Sequence, residues 1–407
     1  MNERAWLPLA VTTAIQVLVS AAVLTLPVMA PAVALALGTS PAYTGVYVAV
    51  VYGGAMLASV AAGTAVTRFG AIRMSQVGLL LCAAGLALSA VPSLPAIALG
   101  ALLIGFGYGP ITPSSSHLLA RTTPAHRMSL VFSVKQTGVP LGGVVAGAMV
   151  PGLMLWGGWQ AALLAVAAAN VLCVLLAQVL RKELDADRNP QQRLVLGHLA
   201  RPVRLVLSHP ALRMLAGCSF VFSMCQLSLT AYLVTYLDAV LAYGLVAAGL
   251  ALSLAQIGGV IGRVLWGYVA DRWLGARCML TALSLIMCVS ALATALLDGR
   301  LPSVLVLAVL MVFGASAIGW NGVYLAETAR QAPPGQASIA TGGTLAVTYF
   351  GVVLGPPAFG ALATVFSSYR AGFFALAVAT ALCTLALLRG QRQPVVSGAP
   401  EPPEFKP

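Results

Sequence analysis

Twelve stretches of this chain run for roughly 20 residues with almost no charge, and that pattern limits the fold more than any motif. They cover 6–30, 45–66, 74–91, 96–119, 129–151, 159–180, 214–237, 245–267, 279–297, 303–326, 338–363 and 371–388. A helix needs roughly 20 apolar residues to cross the hydrocarbon of a bilayer. Uninterrupted runs of that length argue against a β-barrel, whose strands alternate over about ten residues. Only 8% of the residues are charged, about a third of the share with which a soluble domain covers its surface. Disorder is excluded by the same figure, because it needs low hydrophobicity and high charge. Twelve spans consume about 240 residues of the 407 present. The expected fold class is an all-α membrane protein with twelve transmembrane helices. The first stretch is too long for a signal-peptide core and follows only Arg4, so it reads as a retained helix.

The net charge of +12 would suggest nucleic acid in a soluble protein. Here its distribution gives another reason. Arg4, Arg68, Arg73, Arg121, Arg127, the cations of 181–213, Arg272, Arg277, Arg330, Arg389, Arg392 and Lys406 fall in alternate loops. They are 18 of the 22 cations, and the other loops hold only Arg300 and Arg370. Cytoplasmic loops collect Lys and Arg, so both termini are expected in the cytoplasm of a cell whose inner membrane holds the chain. The expected organisation is a six-helix bundle over 1–180, a cytoplasmic linker over 181–213, a second bundle over 214–392 and a proline-rich disordered tail over 393–407.

The halves repeat. Gly138, Gly142, Gly147 and Trp156 return as Gly351, Gly355, Gly360 and Tyr369, 213 residues later. Gly63, Arg68 and Arg73 return as Gly267, Arg272 and Arg277, 204 residues later. Such internal repeats are what a two-bundle alternating-access transporter shows. The seven cysteines form no CxxC and read as small apolar filler, so neither a disulfide framework nor a metal site is expected. The run Gly105-Phe-Gly107-Tyr-Gly109-Pro110 lies inside an apolar helix and reads as packing, not as a nucleotide loop. With no HExxH, no GxSxG and no intramembrane cluster of acids, the chain is expected to be no enzyme and to need no cofactor.

The run Gly267-Tyr-Val-Ala-Asp271-Arg272-Trp-Leu-Gly275-Ala-Arg277 closely resembles the loop signature of the major facilitator superfamily. Its first copy, Gly63-Thr-Ala-Val-Thr67-Arg68-Phe-Gly70-Ala-Ile-Arg73, has Thr67 where the family carries Asp. The resemblance implies a conformational latch built from Gly63, Arg68, Arg73, Gly267, Asp271, Arg272 and Arg277. In it the glycines let helices two and eight pack closely, and Asp271 accepts hydrogen bonds from the N-terminus of a facing helix. The resemblance also implies two pseudo-symmetric six-helix bundles, a monomer, and segments five and eight meeting across the interface between bundles. Gly138-Val-Pro140-Leu-Gly142-Gly143 is similar to a helix-five motif of exporters in that superfamily, with its proline displaced.

Ionisable residues inside a span are costly and mark function. Two cations qualify, Lys135 in segment five and Arg263 in segment eight. Arg263-Val-Leu-Trp-Gly267-Tyr-Val-Ala-Asp271 also resembles the eighth helix of monocarboxylate and oxalate/formate transporters, where an arginine at this position binds carboxylate. A guanidinium fork suits that group. The acids fall in loops, tails or helix ends, which disfavours a cationic drug and favours an anion. Gln136, Gln226, Trp320, Asn321 and Tyr324 join the two cations as expected substrate contacts; Gln16, Ser114, Ser115 and Tyr232 are further candidates for the cavity wall. Glu327 and His117 are the possible proton sites. The expected function is carriage of a small organic anion, with a carboxylate as first choice and export of hydrophobic compounds or drugs as the alternative. The expected partners are that anion, membrane lipid and a coupled proton or counter-anion, with no nucleic acid.

Overall fold

The computed structural model describes residues 6–123, 128–192, 200–333 and 337–391. The tail expected over 393–407 lies outside the described residues, as do Arg4, Arg127 and Arg193. Among the described residues the regular structure is helical, without a strand. That follows from the solvent: in hydrocarbon each backbone N–H and C=O needs a partner within its own segment.

Eleven stretches are long and apolar enough to cross a membrane, and one of them, Val134–Leu184, holds two crossings. Gly158 separates these, at φ 83°, a conformation open to glycine and strained for other residues. The chain thus crosses twelve times. The first bundle contains α1 (Trp6–Val28), α2 (Thr44–Phe69), α3 (Ala71–Ser89) and α4, which is broken into Leu94–Tyr108 and Ile111–Thr122. Its α5 is broken into Met128–Gln136 and a second half from Gly138, and its α6 runs from Gly158 to Leu184. A short helix, Ala200–Ser208, precedes the second bundle. That bundle contains α7 (Pro210–Leu241), α8 (Leu245–Val269), α9 (Ala276–Ala295) and α10, broken into Ser303–Gly319 and Asn321–Gln331. It ends with α11 (Ala337–Val365) and α12 (Tyr369–Gln391).

Packing follows the repeat. In the first bundle α1 lies on α5, α2 on α4 and α3 on α6; in the second α7 lies on α11, α8 on α10 and α9 on α12. Across the interface α5 meets α8, α2 meets α11 and α1 meets α7. The repeated glycines occupy matching seams. Gly142 faces Ser20 of α1, and Gly355 faces Met224 of α7. Gly147 faces the other bundle, where an added methyl would meet the Gly249 carbonyl at 2.5 Å. Small residues at such seams let backbones approach, which is how helices associate where lipid is as apolar as the side chains.

The signature loops make two similar corners, with Gly70 at φ 98° and Gly275 at φ 73°. They differ by one residue. Gly275 stands one position further from its arginine than Gly70 does, and a π-turn over Ala270–Leu274 absorbs the extra residue, closed by Gly275 N–H donating to Ala270 O at 2.8 Å.

Even numbers of crossings put Trp6, Gln391 and the described stretches 185–192 and 200–209 on one face, the linker side. Among the described residues, four hydrogen bonds cross between bundles. Tyr232 Oη of α7 donates to Ala42 O at 2.5 Å and accepts from Gly45 N–H at 2.7 Å, beside the head of α2. Ser253 Oγ of α8 donates to Val144 O of α5 at 2.9 Å. These three join the bundles from the face opposite the linker to the middle. The fourth belongs to Arg263.

Candidate functional site

Pro140 has no N–H, so the carbonyl four residues earlier, Gln136 O, has no helical donor. The helix breaks there, and Thr137 lies between its halves. Arg263 Nη1 of α8 donates to that freed oxygen at 2.7 Å, across the interface. Its Nε donates to Ile318 O at 3.2 Å, just before the break of α10. One guanidinium therefore rests on carbonyls at two broken helices, one in each bundle. Lys135, one residue before Gln136, is only 2% exposed. Its Nζ donates to Gln16 Oε1 of α1 at 3.0 Å and to Thr112 Oγ1 of α4 at 3.5 Å. Gln16 in turn donates to Ser20 Oγ at 3.2 Å.

Lys135 directly precedes the residue whose carbonyl Arg263 holds, so the two cations are neighbours across the interface. Among the described residues no carboxylate is within salt-bridge distance of either; the ion pairs present involve other groups. Between the bundles, beside this pair, is a cavity of about 30 Å³ lined by Ser20, Tyr52, Tyr108, Gln226, Gln256 and Ile318, among others. It has room for about one water molecule. Tyr52 and Tyr108 meet edge to face, with centroids 5.7 Å apart. Gln226 Oε1 accepts from Trp320 Nε1 at 3.0 Å. The cavity thus has polar and apolar walls, with Arg263 bonded to the backbone of its Ile318 and Lys135 joined to its Ser20 through Gln16.

The structure brings Lys135, the Gln136 carbonyl, Arg263, Gln16, Gln226 and Trp320 to this centre. Asn321 begins the second half of α10. Tyr324 stacks edge to face on Trp320, but its hydroxyl turns into the second bundle, toward Ser219, Thr328, Thr344 and Thr348, without closing a hydrogen bond. Tyr232, expected in the cavity wall, holds the closed face instead. Ser114 and Ser115 bond backward to carbonyls of their own helix. Tyr52, Tyr108 and Gln256 were missed by sequence reasoning. Gln256 carried a signal: it precedes Arg263 by seven residues, two helical turns on the same face.

The two ends of the expected latch behave differently. Arg277 Nε pairs with Glu327 Oε1 at 3.1 Å, and that carboxylate also accepts from Gln331 Nε2 at 2.8 Å. Asp271 and Arg272 are exposed and form no ion pair among the described residues. Gly267, expected to give close packing, faces open space: a β-carbon there would meet nothing within 4 Å. The reason is shared, since the cross-bundle hydrogen bonds hold the centre and the opposite face, not this end. Arg68 lies over the ring of Phe69, at 5.4 Å. In the first bundle the carboxylate absent at Thr67 comes from elsewhere. Asp185, at the end of α6, accepts from Ile72 N–H at 2.7 Å and Arg73 N–H at 2.9 Å, capping α3. Gly63 lies within α2. His117 is not free at the centre; its Nε2 lies 2.7 Å from Asp187 Oδ2 on the linker side.

The profile of the Major Facilitator Superfamily matches residues 11–344. The chain belongs to that superfamily. It is similar to the benzoate transport protein of Acinetobacter baylyi, 23% identical over 313 residues that cover 69% of this chain and 65% of that protein. It is also similar to "Probable anion transporter 4, chloroplastic" of Oryza sativa subsp. japonica, 24% identical over 308 residues, 70% of this chain and 52% of the relative. The chain thus spans between about half and two thirds of the length of these relatives. Among solved structures, an inward-facing, unoccupied bacterial homologue of the human lysosomal transporter Spinster superposes with a TM-score of 0.78 at 15% identity, covering 96% of this chain and 98% of that one. A nucleoside transporter gives 0.76 at 17% identity, covering 95% and 99%. At such identities the likeness is one of fold. It agrees with the twelve-helix, two-bundle architecture built above, and the family match together with the apolar helices makes this a multi-pass membrane protein.

Proposed function

We propose that the chain is a secondary transporter that carries a small organic anion, a carboxylate by first choice, through alternating access of its two bundles. The observation that carries this reading is the Arg263 guanidinium, held between the bundles on backbone oxygens, with Lys135 beside it and no acid to neutralise either. Lys135 is buried and Arg263 half-buried, and charge so placed without an acidic partner is expensive. A carboxylate entering the centre supplies the missing charge and can pair bidentately with the guanidinium. The names of both curated relatives, benzoate transport and anion transport, support the same class.

The mechanism follows from what Arg263 must leave. In the resting state its Nη1 bonds to Gln136 O of the opposite bundle. A carboxylate competes with that carbonyl for the same fork. Once bound between Lys135 on α5 and Arg263 on α8, the anion replaces a fixed tie by one that travels with the substrate, and the bundles can rock. The linker side, rich in Lys and Arg, is assigned to the cytoplasm, and the membrane to the inner membrane of the cell.

Uptake by proteoliposomes tests the reading. Benzoate and other small carboxylates should be carried, whereas cationic drugs should neither be carried nor compete. Arg263→Lys and Lys135→Ala should each reduce anion uptake at least tenfold while the purified variants melt cooperatively. Undiminished uptake in both variants would overturn the two-cation site. Competition by cationic drugs alone would overturn the anion reading itself.

A further inference from the structure

The end of α6 carries a second cationic place, far from the centre and unused by the transport reading. Gln178, Arg181, Lys182, Asp185, Ala186 and Arg188 line a cavity of about 410 Å³ on the linker side. Its one carboxylate is already committed. Asp185 is buried and spends its oxygens on the N–H groups of Ile72 and Arg73, with Arg181 Nε 3.8 Å away. Asp187, two residues on, is held by His117 and Arg121, and Glu183 does not line the cavity. Lys182 and Arg188 form no ion pair among the described residues. The cavity therefore presents surplus positive charge.

The walls of this place are fixed. The turn after α6 docks onto the corner between α2 and α3, where Asn189 N–H donates to Thr67 O at 2.8 Å and Asp185 caps α3. Leading up to it is an apolar stripe. Leu172, Leu175, Leu176 and Val179 are 56%, 62%, 64% and 81% exposed. Their spacing of three and four puts them on one face of α6, and Lys182 follows Val179 on that face. From Leu172 to Lys182 the helix rises about 15 Å, at about 1.5 Å per residue. That is about half of a hydrocarbon core roughly 30 Å thick, the depth of one leaflet.

We infer that this end of α6 is a binding site for an anionic glycerophospholipid, its acyl chain along the Leu172–Val179 face and its phosphate among Arg181, Lys182 and Arg188. A zwitterionic lipid could use the stripe equally well but would set its own cation against the cluster. Free phosphate could use the cluster but would gain nothing from the stripe. The two features together select a lipid with net negative charge, as basic pockets at the cytoplasmic ends of helices do.

The test uses the purified full chain in detergent, with no substrate present, so its outcome is independent of the transport reading. Phosphatidylglycerol, phosphatidylcholine and inorganic phosphate are each added to the protein and to Lys182→Gln/Arg188→Gln, which leaves Arg181 and the Asp185 cap in place. Native mass spectrometry counts retained lipid, and a melting curve reads its effect. Phosphatidylglycerol should remain bound and raise the Tm of the unmodified chain by several degrees, and the double variant should lose both effects. An equal shift with phosphatidylcholine, or full retention by the double variant, would overturn the proposal. So would inorganic phosphate alone reproducing the whole shift. Should the double variant melt early, Lys182→Gln alone should still show weakened retention, and unchanged retention would overturn the proposal.

Discussion

At the scale of single residues, the chemistry of the centre begins with a missing N–H. Pro140 leaves Gln136 O open, and Arg263 takes it. Pro140→Ala would supply a helical donor to that oxygen and weaken its hold on the guanidinium. The anion would then compete less, and its half-saturating concentration for uptake should fall. Charge-assisted hydrogen bonds contribute about 1.5–3 kcal/mol, which sets an upper limit of roughly 10- to 150-fold. An unchanged half-saturating concentration would sink the competition. Lys135 and Arg263 were legible in the sequence because charge in an apolar span is conspicuous. Tyr52 and Tyr108 were not, since an aromatic residue in such a span has no distinguishing mark until another helix places it against the cavity. Asp185 was equally hidden: it stands among linker charges, and only the fold brings it to the head of α3.

Elements set the motions. The face opposite the linker is closed by α7 against α2 and by α5 against α8. Tyr232→Phe removes a hydroxyl that both donates and accepts across the first seam, at a cost of about 1–3 kcal/mol to the closed arrangement. Spin labels on α2 and α11 should report a larger population with that face open, and an unshifted distance distribution would remove Tyr232 from the gate. Gly147→Val should act at the second seam, because its side chain would meet the Gly249 carbonyl; uptake should fall several-fold although the protein still folds. The linker turn has its own acid limit. Burial pushes the Asp187 carboxyl up, but the hydrogen bond from His117 and the charge of Arg121 outweigh it and hold the group below its usual value. A carboxylate lowered in the folded state stabilises above its unfolded value and loses that contribution as pH falls through the folded value. The protection of the amides at 185–192, corrected for intrinsic exchange, should therefore fall only below about pH 4, and Asp187→Asn should show low protection at neutral pH as well. Span positions were legible from hydropathy, whereas the breaks beside Pro110 and Pro140 fall inside stretches that read as single helices. The π-turn at Ala270–Leu274 was not legible either, because aligning the signature loops on their arginines conceals the extra residue before Gly275.

At the scale of the whole molecule, the repeat at two constant spacings already implied paired bundles, and the packing pairs follow it seam for seam. Hydropathy could not show which face is closed, since that depends on hydrogen bonds between residues more than 100 positions apart, such as Tyr232 with Gly45. We infer that 1–180 and 214–392 are separate folding units joined by 181–213. Two chains divided between 192 and 200 and co-expressed should associate, a tag on one retaining the other through the α5–α8 and α2–α11 seams. Recovery of the tagged half alone would show that the connection is needed for assembly. The resting tie between the bundles has one more consequence. A peptide carbonyl does not titrate, and a guanidinium keeps its proton throughout the physiological range. No proton has to arrive or leave for Arg263 to release Gln136, so under the proposed anion reading a pH dependence of transport should trace to the acid being carried or to Lys135; in Lys135→Arg, which keeps its charge, it should move when a stronger or weaker acid is supplied.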